Sequence, residues 1–333
     1  MEPILFLSII ISLVTTLFLF PFWIKKVRQI GLVWDDMNKT SKDKVAGSGG
    51  TIVVLGFIFG VLFYVAIKTF YFKSTDNLIE IFALLCVMFI VAGIGLIDDL
   101  FGWQKGGLSA RSRIILVAFA SIPLMVINAG SDIIALPFFG QVTLGIIYPL
   151  ILIPLAIIAT STTFNFLAGY NGLEASQGIL ILSALALASF MTGSTWLSLI
   201  AVCMVAALIG FLYYNKTPAK VFPGDVLTYP IGALIAIMAI LGNYETFAIF
   251  IFIPYILETI LKLRGRLKKS SFGKPQKDGS IKNQYAKIYG LEHLAIYLLE
   301  KIKTSKKAYE WEVVMLINLL QIIFIVFGFV MFL

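Results

Sequence analysis

The sequence predicts an all-α polytopic membrane protein of about ten transmembrane helices, and three observations lead there. Of 333 residues, 59% are hydrophobic and 13% charged, against roughly 25% charged in an average soluble domain. Apolar runs long enough to cross a bilayer recur along the whole chain, leaving no room for a soluble core. All but two of the 26 lysines and arginines, Lys68 and Lys73, fall on alternate connections between those runs.

Taken in order, the runs lie at about 3–24, 50–70, 78–97, 112–128, 145–163, 176–193, 196–214, 225–242, 246–263 and 311–332. The first has no basic segment before it and reads as a span, not a cleavable signal. Basic residues follow the first run (Lys25, Lys26, Arg28, Lys39, Lys42, Lys44), the third (Lys105, Arg111, Arg113) and the seventh (Lys216, Lys220). The connection after the ninth run, from Lys262 to Lys307, is basic throughout. The positive-inside rule makes these connections cytoplasmic and places both termini outside. A net charge of +8 would suggest nucleic acid in a soluble protein; here it reports topology, and no nucleic-acid partner is expected. Cys86 and Cys203 lie inside apolar runs and read as small buried hydrophobes. An outer hairpin is expected around Leu136–Thr143.

Residues 1–333 thus read as a single integral-membrane domain, with 264–310 its one long cytoplasmic loop. Within that loop Asp278-Gly279 signals a turn. From Tyr285 to Ile302, helical spacing of Ile288, Leu291, Ala295, Leu298 and Leu299 predicts an amphipathic helix on the membrane surface. His293, the single histidine, reads as interfacial on that helix, and His-based metal sites are unavailable.

Polar residues at the cytoplasmic span ends are the candidates for chemistry. The run Phe164–Glu174, FNFLAGYNGLE, puts Asn165, Asn171 and Glu174 between two apolar runs, with Gly169 and Gly172 among them. Unpaired burial of such groups costs about 1–3 kcal/mol each, so they need water, partners or a ligand. Asp98 and Asp99 end the third run as adjacent carboxylates. They suit a magnesium–phosphate site, since Mg2+ takes one or two carboxylates plus phosphate oxygens; two solvated acids at a helix end are the plain alternative. Asp225, after Phe222-Pro-Gly, opens the eighth run as a ligand or as a simple cap. Amide oxygens such as those of Asn165 and Asn171 are hard ligands. No carboxylate sits at a midplane, where an ion or proton pathway would place it. Phosphoryl transfer requires positioning, a divalent cation and positive charge, and this set supplies the parts.

The order IDD, FNFLAGYNGLEA, VFPGD resembles the polyprenyl-phosphate N-acetylhexosamine-1-phosphate transferases over nearly the whole chain. Within them it looks most like the archaeal and eukaryotic UDP-GlcNAc:dolichyl-phosphate GlcNAc-1-phosphate transferases, a likeness strengthened by Asn38-Lys-Thr-Ser41 before Gly49-Gly50. The bacterial phospho-MurNAc-pentapeptide and undecaprenyl-phosphate GlcNAc-1-phosphate transferases are more distant. The resemblance implies ten transmembrane helices, a cytoplasmic active site and transfer of GlcNAc-1-phosphate from UDP-GlcNAc to a dolichyl-type phosphate with release of UMP. It implies Mg2+, with Mn2+ as a substitute, sensitivity to tunicamycin, and a homodimer in a prokaryotic cell membrane. Asp225 and Asn165 take the positions of the metal ligands, and Asp98 and Asp99 those of the paired aspartates, one of them a proposed base. Phe222 takes the place of the aromatic that stacks on uracil, Gly169 and Asn171 fall where the family contacts uridine, and Arg113 aligns with a pyrophosphate-contacting cation. Glu174 belongs to the same substrate loop.

This sequence departs from the family in two places. The Arg-His-Arg cluster of eukaryotic relatives is replaced by a region reading Leu267-Lys-Lys-Ser-Ser-Phe-Gly-Lys274, and the substitute phosphate contacts are to be found among Lys268, Lys269, Lys274, Arg264 and Arg266. A glutamate that some relatives carry in the first cytoplasmic loop is absent, with Gly47 near its position. Other readings are the same chemistry on another UDP-N-acetylhexosamine or on undecaprenyl phosphate, a non-enzymatic lipid-phosphate transporter, and a membrane scaffold with a basic lipid-binding loop. The transporter reading lacks midplane charges and repeated halves.

Overall fold

The structure is a computed structural model that describes residues 2–41, 43–136 and 140–333. Every predicted apolar run is helical over most of its length. The helices are α1 (Phe6–Gln29), α2 (Gly50–Ala66), α3 (Leu78–Lys105), α4 (Ala110–Ala120), α5 (Ile122–Val126), α6 (Ile153–Phe164), α7 (Leu173–Met191), α8 (Thr195–Asn215), α9 (Asp225–Gly242), α10 (Glu245–Ile251), α11 (Ile253–Arg264), α12 (Leu291–Ile302) and α13 (Glu310–Phe332). Among the described residues seven helices are long and apolar enough to cross a membrane, or eight if the pair α10–α11, bent by 55°, is one span. The expected count of ten differs for a local reason. The fourth run is interrupted at Ser121, before Pro123, and the fifth is a shorter apolar helix over Tyr148–Phe164. The chain is an integral membrane protein.

Helix α9 is the centre of the bundle. Val226 through Ile240 are all buried, as expected of a helix that is apolar on every side. Close approach to α9 relies on small residues, as in membrane bundles generally. A Cβ on Gly95 of α3 would lie 2.4 Å from the Asp225 carbonyl oxygen, and one on Gly232 of α9 would lie 2.4 Å from the Thr160 carbonyl oxygen of α6. These contacts fix the N-terminal half of α9 beside the C-terminal halves of α3 and α6. Helices α1 and α13 lie at the periphery. Phe6, Ile10, Val14, Phe18 and Phe22 form an exposed apolar stripe along α1, the face a bilayer would cover. Cys86 is exposed and only Cys203 is buried, so the expectation of two buried cysteines is corrected at Cys86.

Three hairpins decorate the ends. Strands β1 (Val33–Asp35) and β2 (Lys44–Ala46) pair antiparallel within the first basic connection. Strands β3 (Ile133–Leu136) and β4 (Gly140–Thr143) pair antiparallel where a hairpin is expected, with Leu136 opposite Gly140; its turn, 137–139, lies outside the described residues, as does Lys42. Strands β5 (Lys274–Pro275) and β6 (Ile281–Lys282) are joined through Asp278-Gly279, where Gly279 has φ +80° and the Asp278 carboxylate accepts the Ser280 N–H at 3.1 Å. Helix α12 starts at Leu291, six residues later than predicted, because 283–290 is irregular and held by Asn283, whose amide donates to the His293 carbonyl at 3.1 Å. His293 is buried, not interfacial, and burial beside Lys262 pushes its pKa down to about 4.

Candidate active site

The loops between α3 and α4, α6 and α7, and α8 and α9 meet the first hairpin around a cavity of about 730 Å3. It is lined by Asp98, Asp99, Arg113, Asn165, Gly169, Asn171, Glu174, Phe222 and Asp225, all singled out from sequence. The fold therefore gathers side chains spread over more than a hundred residues of chain. Lys268, Lys269 and Lys274 do not line it. Lys268 and Lys274 are exposed, and Lys269 lies over the rings of Tyr285 and Tyr289, 4.9 and 5.8 Å from their centroids. The part of the late loop that reaches the cavity is Phe272. Its ring covers Gly169, where a Cβ would sit 2.7 Å from Phe272 Cε1 and where φ is +102°. Both facts require glycine there.

The two adjacent aspartates point to different tasks. The Asp99 carboxylate accepts the Asp225 N–H at 2.7 Å and the Val226 N–H at 3.5 Å. It caps the N-terminus of α9 from another helix, satisfying donors that α9 leaves without partners. Gly224, the residue before α9, has no side-chain cap to offer. It must also be glycine: its φ is +73°, and a Cβ would lie 2.1 Å from Asp99 Oδ2. Asp98 instead faces the cavity's charged wall. Its Oδ1 accepts the Leu108 N–H at 2.6 Å, and its Oδ2 pairs with Arg113 Nε at 2.9 Å and takes the Tyr229 hydroxyl at 3.4 Å.

Asp225 is the least satisfied of the three. Its ion-pair partner, Arg113 Nη1, stands at 3.9 Å, beyond hydrogen-bond length. One turn along α9, the Thr228 hydroxyl donates to Asn165 Oδ1 at 3.2 Å, bringing the amide at the end of α6 to the same face. Two carboxylates, Asp98 and Asp225, thus share one guanidinium, with Asp99 beside them on the α9 N-terminus.

The opposite wall is built differently. The Asn171 N–H donates to Glu310 Oε1 at 2.9 Å, and its side-chain amide donates to Asp36 Oδ2 at 2.9 Å. The Asn38 amide donates to the Gly169 carbonyl at 2.9 Å and accepts the Gly273 N–H at 3.1 Å. Asn215 accepts the Gly172 N–H at 3.0 Å and donates to the Val221 carbonyl at 2.9 Å, fastening the two motif loops together. Phe222 is held through its backbone: its N–H donates to the Ala46 carbonyl at 2.7 Å, and its carbonyl accepts the Gly49 N–H at 2.8 Å. Glu174 accepts the Gly169 N–H on Oε1 at 2.8 Å, while its buried Oε2 has no protein partner. Gly47 is covered by the Trp34 indole, into which a Cβ would collide at 1.6 Å.

Sequence reading missed Asp36, Asn215 and Glu310, and took Asn38 and Phe272 only as parts of longer runs, with no place at the site. For Glu310 a signal existed: like Asp98, Glu174 and Asp225, it is an acid at the basic end of an apolar run.

Residues 81–243 match Glycosyl transferase family 4. A protein of Saccharolobus solfataricus, provisionally named UDP-N-acetylglucosamine–dolichyl-phosphate N-acetylglucosaminephosphotransferase, is 40% identical over 283 residues, covering 84% of this chain and 82% of that one. A protein of Sulfolobus acidocaldarius with the same provisional name is 33% identical over 320 residues, covering 96% and 93%. The UDP-N-acetylglucosamine–dolichyl-phosphate N-acetylglucosaminephosphotransferase of Dictyostelium discoideum is 31% identical over 267 residues, covering 69% and 64%. With such similarity along most of its length, and its motifs gathered at one cavity, the chain belongs to glycosyl transferase family 4, among the polyprenyl-phosphate N-acetylhexosamine-1-phosphate transferases.

Proposed function

We propose that this protein transfers GlcNAc-1-phosphate from UDP-GlcNAc to a polyprenyl phosphate of the dolichyl type, releasing UMP, as the first membrane step of lipid-linked glycan assembly. The observation that carries this reading is the convergence of Asp98, Asp225 and Asn165 with Arg113 at one cavity, in a chain whose relatives are named for that transfer. An oxygen of the lipid phosphate forms a bond to the β-phosphorus, and the bond from that phosphorus to the UMP oxygen breaks. Both substrates carry phosphate, so the site must bring negative charges together and hold them in line.

Asp225 and Asn165 would hold Mg2+. Among the described residues no group of three His, Cys, Asp or Glu is arranged to hold a metal ion. The donors present still fit, because Mg2+ takes one or two carboxylates and completes its shell with phosphate and water oxygens. Bound there, the cation neutralises charge developing on the pyrophosphate. Arg113 holds phosphate from the side of Asp98, and Asp98 keeps the guanidinium oriented. Asp99, with both oxygens taken by α9, is the poorer base or nucleophile of the pair. A phosphate monoester is largely ionised at pH 7, its second pKa being about 6, so a base has little to add. Phe222 faces the cavity as the surface for uracil, and Gly169 and Asn171 frame the nucleotide.

The basic connections support, by the positive-inside rule, a reading with this site on the cytoplasmic side, ten membrane crossings and both termini outside, in which the short and bent helices at 110–126, 148–164 and 245–264 complete the count. The test is direct. Purified protein with tritium-labelled UDP-GlcNAc, a dolichyl or undecaprenyl phosphate and Mg2+ is expected to give a labelled lipid and UMP. No labelled lipid with any UDP-N-acetylhexosamine, lipid phosphate or divalent cation would leave the transporter reading in its place.

A further inference from the structure

We propose that Glu310, the first residue of the last helix, is a positioning residue for nucleotide binding, acting through Asn171 and Gly169. This rests on the assignment of those two residues to the nucleotide. An acid in the first turn of a helix is commonly there for the helix dipole, but here that task is met by a neighbour. Glu312 accepts the Tyr309 N–H at 3.0 Å in a capping box and pairs with Lys303 at 2.6 Å. Glu310 turns away from its own helix. Its carboxylate takes the Asn171 N–H at 2.9 Å, the Asn171 side-chain amide at 3.3 Å, the Asn38 amide at 3.3 Å, the Thr217 hydroxyl at 3.5 Å and the ammonium of Lys39.

These donors come from three other cytoplasmic segments, and Glu310 is only 3% exposed. The Asn38 side-chain nitrogen that donates to Glu310 also donates to the Gly169 carbonyl. One buried carboxylate therefore sets both the Asn171 amide and the turn at Gly169. A carboxylate is the group this position requires, because every neighbour that reaches it is a donor. A glutamine would turn an NH2 toward at least one of them, and a buried donor facing a donor is left unsatisfied. The acids at Asp98 and Asp225 lie on the opposite wall and share none of these partners.

Equilibrium binding of UDP-GlcNAc to the detergent-solubilised full chain, alongside turnover, tests this. Glu310→Gln is expected to raise the nucleotide Kd roughly 10- to 100-fold, to raise KM for UDP-GlcNAc and to leave KM for the polyprenyl phosphate unchanged. Glu310→Asp keeps the charge, pulled back by one methylene, and should fall between the two. Combining Glu310→Gln with Asn171→Ala should add little to the loss from Asn171→Ala alone, since one acts through the other. Glu312→Gln should lower Tm and leave the nucleotide Kd unchanged, separating positioning from helix stability. Wild-type affinity in both Glu310 variants, equal rises in both KM values, or additive losses with Asn171→Ala would overturn the inference. If Asn171→Ala binds nucleotide as wild type does, the nucleotide assignment of the loop falls, and this inference with it.

Discussion

The two walls of the cavity are both acidic and both mostly buried, yet they are wired in opposite ways. On the wall made by α3 and α9, Asp98 and Asp225 share one guanidinium, which stands 3.9 Å from Asp225, and Asp99 caps α9. On the wall made by the first hairpin, the α6–α7 loop and α13, Asp36 and Glu310 are met by amides, a hydroxyl and an ammonium. Buried acids are tolerated when donors satisfy them. The wall held by Asp36 and Glu310 is therefore framework, apart from Glu174 Oε2, and Asp225, the acid left short of donors, is where a cation and phosphates belong.

The largest effect should come from the wall that holds Asp225. Asp225→Asn removes a carboxylate without changing its volume, and turnover is expected to drop about 1,000-fold, measured as lipid-linked label, while Tm changes little or rises as repulsion is relieved. A large loss of Tm would instead make Asp225 part of the framework. Next come the adjacent aspartates. Asp99→Ala should cost about 1–2 kcal/mol of stability as a lost helix cap, read in thermal unfolding. Asp99→Asn keeps an acceptor for α9 and should retain more turnover than Asp98→Asn; the reverse order would return Asp99 to the chemistry.

A smaller effect is local. His293 is buried with its pKa held at about 4 by desolvation and Lys262. Unfolded histidine titrates near 6.5, so between about 6.5 and 4 the unfolded segment binds a proton that the folded one refuses. Stability of the α12 region is then complete above that window and lost as pH falls through it. Amide exchange in α12 should accelerate on acidification over that range, and His293→Gln should flatten the dependence. The smallest effect is expected at the late-loop lysines. Lys268→Ala, Lys269→Ala and Lys274→Ala should each change kcat/KM by less than about threefold, as exposed charges do. A tenfold loss at any of them would show that the late loop delivers a cation to the phosphates.

The wall made by α3 and α9 was legible in the sequence; on the opposite wall Gly169, Asn171 and Glu174 were, and Asp36 and Glu310 were not. Asp98, Asp225 and Asn165 interrupt apolar runs, so solvation alone marks them as anomalous. Glu310 follows the basic run Lys303–Lys307 and reads as an ordinary acid opening a helix, while its partners Asn171 and Asn38 lie 139 and 272 residues away. No local pattern encodes such a contact. The division between Asp98 and Asp99 was hidden for the same reason, because a cap supplied by another helix leaves no mark beside the residues it caps. With the late-loop lysines, composition gave the charge but not its direction. The tie of Lys269 to Tyr285 and Tyr289 depends on how 283–290 folds, and helical periodicity misread that segment.

The contrast between the walls is tested most directly by counting bound cation. With UDP-GlcNAc present, titration of the full chain with Mn2+, followed by electron paramagnetic resonance, should show a single bound ion in wild type and in Glu312→Gln, and none at the same concentration in Asp225→Asn. Undiminished Mn2+ binding in Asp225→Asn would contradict the account.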